Sequence, residues 1–205
     1  MVILTDSAIL VTIYIMAGCG LFIVTGLCGQ ISITQATYLG VGALFSSYFG
    51  RSSIVGGQSM PFSTTLLLSA ICTSIVGVFF AFLTRKMRSD KAISASIASA
   101  VLIMYIFEKL EFISGGARGV QSAKSLILFG IDFSELKIAS HTFDPKISLL
   151  ILCALFALLI VIITFNISRS KLALSFRYMR QRDLAAATCG VNPTKTILQA
   201  NFIAS

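Results

Sequence analysis

Charge is what this sequence has least of. Of 205 residues, 12% are Asp, Glu, Lys or Arg and 56% are apolar, with mean hydropathy +0.92; a soluble domain carries about 25% charged residues. The scarcity excludes an ordinary water-soluble domain and implies an integral membrane protein. Acids number 8 and histidine 1, and they form no cluster. Without paired carboxylates, a metal-ligand set or a nucleophile–base pattern, a membrane enzyme has nothing to work with. His141 lies in a segment read as an external loop. Cysteines are five, none in a CxxC pair; disulfide and zinc readings fail, and small apolar packing residues remain. No GxxxxGK[ST] is present, so ATP hydrolysis is not expected of this chain. The first apolar run has Asp6 before it and no Lys or Arg, which argues for a retained span and against a cleavable signal peptide.

The cations that are present sit in two places. Arg85 to Lys91 holds four cations and one acid, and Arg169 to Lys195 holds six and one. These short basic stretches beside apolar runs are an orientation signal, which places both in the cytoplasm; a nucleic-acid surface is excluded on the same ground. Uncharged runs mark Ala8 to Thr25, Ile33 to Gly50, Pro61 to Thr84, Ala92 to Phe107 and Ile147 to Ser168 as spans, since a bilayer core takes about 20 apolar residues per helix. A sixth starts near Thr196 and is cut off at Ser205. The expected fold is therefore all-α: a polytopic transmembrane bundle of about five spans plus the start of a sixth, one domain over 1–205, C-terminally incomplete. Arg51 to Met60 and Glu108 to Lys146 fall outside. The N-terminus is outside too if the first two segments both cross; alternatively Gly26 to Ser32 is a break within one re-entrant element.

Several stretches carry more than an anchor needs. TGLCGQISITQATYLGVGALF, Thr25 to Phe45, is uncharged but holds Gln30, Ser32, Thr34, Gln35, Thr37 and Tyr38, with glycines at 26, 29, 40 and 42. In a continuous helix Gly26, Gln30, Thr34 and Thr37 would share one small, polar face. Such a face serves helix packing or lines a path, because polar groups in hydrocarbon are costly. AISASIASA in the fourth span, with Ser94, Ser96 and Ser99 among alanines, is also built for close approach. SGGARGV, Ser114 to Val120, puts Gly115, Gly116 and Arg118 in an external turn. In SRSKLALSFRYMRQRDLAAATCGVNPTKTILQA, Asp183 begins a short alanine helix that Gly190 stops and Asn192-Pro193 keeps from continuing. A small-faced helix so punctuated, exposed just before the next span, fits a partner's groove; an interfacial helix on anionic lipid is the alternative.

Together these stretches resemble, in order and over most of the chain, the inner-membrane permease subunits of ABC importers for branched-chain amino acids and their amide and urea relatives. GLCGQISITQATYLGVGA is similar to the family's early glycine-glutamine-serine signature, SGGARGV to its external loop, and FRYMRQRDLAAATCGVNPTKTILQANFIAS to its cytoplasmic coupling segment. Gln35 stands where relatives often have His, and Tyr38 where they often have Phe. The resemblance implies a multi-pass inner-membrane permease subunit that works with a second permease subunit, membrane lipid, cytoplasmic ABC ATPase subunits that consume the ATP, and an external binding protein that delivers substrate. This chain would bind no cofactor. Gly26, Gly29, Gln30, Ser32, Thr34 and Gln35 become pathway candidates, and 169–195 a coupling loop in which Arg180, Asp183, Ala185, Ala186 and Gly190 meet the ATPase. A self-sufficient secondary transporter or channel is the competing reading, disfavoured because ionisable residues are absent from the span cores.

Overall fold

The computed structural model describes residues 2–30, 34–51, 62–84, 89–109, 127–128, 131–132, 137–138, 141–142, 145–181 and 192–205. Helix α1, Val2–Leu21, runs directly into a π-helical turn, Phe22–Leu27. Its wide bonds, Cys28 N–H to the Ile23 carbonyl and Gln30 N–H to the Val24 carbonyl (each 3.2 Å), loosen the helix until Gly29, at φ +74°, ends it. Glycine bears this left-handed conformation at little steric cost. The chain then returns as α2, Thr34–Arg51. The polar stretch is thus a break between two helices, and Gly26, Gln30, Thr34 and Thr37 do not share a continuous helical face.

Helices α3, Phe62–Thr84, and α4, Ser89–Lys109, follow. Two short antiparallel pairings, Ile127–Leu128 with Ile131–Asp132 and Lys137–Ile138 with His141–Thr142, occur between α4 and the next helix; they are too short to change the all-helical class, and His141 pairs with Ile138 in one of them. Helix α5, Pro145–Arg169, is next. The stretch read as one coupling loop then contains an 11-residue helix, α6, Lys171–Gln181, which buries Ala173, Phe176 and Met179 and exposes its cations. Spacing by three over those residues is the amphipathic signal. Helix α7, Pro193–Ala204, begins three residues before the expected start. The Asn192 side chain caps it, accepting from the Thr194 and Lys195 N–H groups at 3.1 and 3.4 Å, and Pro193 occupies the first helical position, where its missing N–H costs nothing. Asn192-Pro193 is therefore a helix start as well as a stop.

Three helical stretches are long and apolar enough to cross a bilayer: Leu4–Leu27, Phe62–Thr84 and Lys146–Arg169; Ile93–Ile106 is a shorter apolar helix. Helix α2 is too polar to join them on hydropathy, yet it packs against α1, α3 and α4. Burial is inverted relative to a soluble protein. Along α3, Thr65, Ser69, Thr73, Gly77 and Ala81 are buried at a spacing of four, while Leu67, Ile71, Ile75 and Phe79 point outward at the same spacing. Lipid accepts the apolar ridge, and small residues let backbones approach. Helices α1 and α5 lie side by side, joined at their starts by an Asp6–Lys146 ion pair of 2.8 Å.

Candidate functional site

Helices α1, α2, α3, α5 and the end of α7 surround a cavity of about 610 Å³. Ile13, Met16, Ile160 and Ile163 give it apolar walls, Gln35 and Tyr38 supply polar groups, and no lining side chain is charged. An apolar pocket with a few convergent polar groups is the general form of a small-molecule site.

Close approach closes one end of it. A Cβ on Gly20 would run into the Gln35 amide and come within 2.7 Å of the Ala204 carbonyl oxygen. Three elements meet there because glycine leaves the space. The Gln35 amide donates to that carbonyl at 3.1 Å. One turn back, the Tyr38 hydroxyl donates to Asn201 Oδ1 at 3.3 Å, and the bond is buried. Asn201 in turn donates to the Ile197 carbonyl at 3.0 Å. On the opposite side, a Cβ at Gly77 would meet Ser205 Oγ at 2.6 Å.

Next to the cavity lies a buried apolar cluster. Ile23, Val24, Leu27 and Cys28 of the π-helical turn interlock with Ala173, Phe176 and Met179 of α6 and Ala200 and Ala204 of α7. Arg180 closes this knot: its Nη1 donates to the Gly26 carbonyl at 2.9 Å, and its side chain passes so close to Gly29 that a Cβ there would lie 3.0 Å from the Arg180 Cα.

Of the six pathway candidates, Gln35 lines the cavity. Gly26 and Gly29 shape the break at the Arg180 end. Thr34 is buried and hydrogen-bonded beside it, and Gln30 carries a buried side-chain oxygen with no hydrogen-bond partner among the described residues. Ser32, Gly115, Gly116, Arg118, Asp183, Ala185, Ala186 and Gly190 lie outside the described residues. In α4, Ser96 and Ser99 are buried and Ser94 is exposed; the hydroxyls of Ser96 and Ser99 donate to carbonyls of their own helix at 2.7 Å, which is the behaviour of packing residues. Sequence reading missed Gly20, Gly77, Asn201 and the α3 stripe. The stripe was there to be found, as the fourfold spacing of small residues in the third span.

The family profile described as branched-chain amino acid transport system, permease component, matches residues 3–205. Two curated relatives are the high-affinity branched-chain amino acid transport system permease proteins LivM of Salmonella typhimurium (strain LT2) and Escherichia coli (strain K12), each 24% identical over 217 residues, covering 98% of this chain and 49% of the relative. The chain thus spans about half the length of the curated relatives it matches. No solved structure matches it. With several apolar helices arranged around an uncharged cavity and a family match over nearly its whole length, this chain belongs to the permease components of branched-chain amino acid transport systems and is a multi-pass inner-membrane protein.

Proposed function

We propose that this chain forms part of the transmembrane path of an ATP-driven importer for branched-chain amino acids or related small solutes, and that the segment between α6 and α7 couples the path to a separate ATPase. The observation that carries the reading is a pair of ties that bracket this segment. Before it, Arg180 holds the Gly26 carbonyl. After it, α7 is held by Gln35 and Tyr38. The first tie ends on the break that follows α1 and the second on the opening turns of α2, so a displacement of the segment pulls on both sides of one hinge beside the cavity. The positive-inside rule puts this end in the cytoplasm, where an ATPase binds. Aliphatic walls with hydrogen-bonding groups and no fixed charge suit a small solute with a branched apolar side chain that must enter and leave. A second permease subunit, cytoplasmic ATPase subunits and an external binding protein complete the proposed assembly.

The test is uptake of radiolabelled leucine, isoleucine and valine by the complete transporter in proteoliposomes. Burying an unpaired arginine in a docking surface costs several kcal/mol. Ala186→Arg or Gly190→Arg should therefore lower ATP-dependent uptake more than about tenfold while the chain remains membrane-inserted. Uptake that survives these changes, or that ignores ATP depletion and follows an ion gradient, would overturn the coupling reading.

A further inference from the structure

At the elbow where α5 ends and α6 begins, we propose a binding site for the phosphate-bearing headgroup of an anionic phospholipid. Ser170 alone separates the two helices. Its N–H and hydroxyl both donate to the Ile167 carbonyl, at 3.0 and 2.7 Å, and its own carbonyl accepts from the Ala173 N–H at 3.1 Å, so the bend is fixed by three hydrogen bonds. The bend shapes an open concavity of about 390 Å³, whose lining includes Arg169, Lys171 and Arg177 and no acid. None of the three cations has an acidic partner among the described residues. An orientation signal needs only cations at the right end of a span; these three converge on one concavity. Arg180, on the same helix, is occupied elsewhere by the Gly26 carbonyl.

The surroundings select lipid over a soluble anion. The Arg169 guanidinium lies 4.1 Å from the centre of the Phe165 ring, and that ring is 53% exposed, facing outward on α5. Helix α6 buries Ala173, Phe176 and Met179, yet it also exposes Leu172, Leu174 and Tyr178 between its cations. A helix whose outer side is both leucine-rich and basic matches a medium that is both apolar and anionic, the headgroup layer of a bilayer. The headgroup phosphate would sit among Arg169, Lys171 and Arg177, while the acyl chains lie along Phe165 and Leu174.

The experiment is native mass spectrometry of the full chain released from phosphatidylcholine nanodiscs containing a minor fraction of phosphatidylglycerol, with retained lipid quantified. A surface cation contributes roughly a fivefold change in attraction to anionic lipid. Arg169→Gln with Arg177→Gln should then reduce phosphatidylglycerol retention by about 25-fold. Lys91→Gln with Lys195→Gln, an equal loss of charge at the same end but outside the concavity, should reduce it clearly less, and Arg177→Lys should largely retain it. Size-exclusion profiles identify variants that remain folded. Equal losses in both double variants would reduce the effect to general surface potential and overturn the site. So would undiminished retention in the first double variant. Millimolar inorganic phosphate that displaces the phosphatidylglycerol, or binds equally well in pure phosphatidylcholine discs, would assign the cavity to a free anion and overturn the lipid assignment. Loss of ATPase association with lipid retention intact would give the cations to a protein partner, with the same result.

Discussion

Gly18 and Gly40 have nothing within 4 Å of where a Cβ would stand, whereas Gly29 has both a positive φ and the Arg180 backbone beside it. The same residue type therefore serves different ends in neighbouring parts of the chain. Gly29→Ala should destabilise the chain by roughly 1–3 kcal/mol, the sum of left-handed strain and displacement of Arg180. Gly40→Ala should be neutral or slightly stabilising, since alanine is the better helix former. Thermal unfolding of the detergent-solubilised chain compares them. A melting temperature for Gly29→Ala equal to that of the unaltered protein would remove the tight turn from the account. Gln35 and Tyr38 were conspicuous in the sequence as departures from the family's usual His and Phe. Each spends its polar group on α7, a role no local pattern carries, because the acceptors lie more than 160 residues away.

At the scale of the element, α3 shows how a membrane helix divides its labour. Its hydroxyls donate inward to their own helix, as Thr73 does to the Ser69 carbonyl at 2.7 Å, so they place small volume at the interface without leaving an unsatisfied group in hydrocarbon. Across that interface, a Cβ on Gly42 would stand 3.5 Å from Thr73 Oγ1. Thr73→Leu should force α2 and α3 apart and cost about 1–3 kcal/mol, the usual price of overpacking. Ile75→Leu, on the exposed ridge, should change stability by less than about 0.5 kcal/mol. Denaturant titration in mixed micelles separates the two; similar effects would mean that α3 does not present its threonine stripe inward. The stripe was legible in the sequence, because spacing by four is a property of the chain alone. The identity of the helices it packs against was not.

For the whole molecule, the informative feature is that α7 contributes Ile203, Ala204 and Ser205 to the cavity lining while starting at the far side of the proposed coupling segment. If the Tyr38–Asn201 bond holds α7 in place, Tyr38→Phe and Asn201→Leu should not be additive. A double-mutant cycle should give a coupling of about 0.5–1.5 kcal/mol, the range for hydrogen bonds within membranes and proteins. Additive effects would show that the Tyr38–Asn201 bond does not hold α7. The apolar knot of Leu27, Phe176 and Ala200 explains why Leu27 and Cys28 are buried in a glycine-rich break that resembles a loop by composition.

The sequence by itself determined the solvent, the helical class and the family, because scarce charge, long apolar runs and an ordered set of short motifs are local or additive properties. It also placed the break near Gly26 and Gly29, since glycine there answers a backbone requirement. Tertiary structure alone decided which polar groups meet a cavity and which hold helices together. Gln30 and Gln35 are chemically alike and five residues apart, yet one has its side-chain oxygen buried at the break and the other lines the cavity while bonding to Ala204. The first helix has already ended when the chain reaches Gln30, while Gln35 stands in the first turn of α2, and the hydrogen bonds that give Gln35 and Tyr38 their roles exist only once α7 has folded back against them.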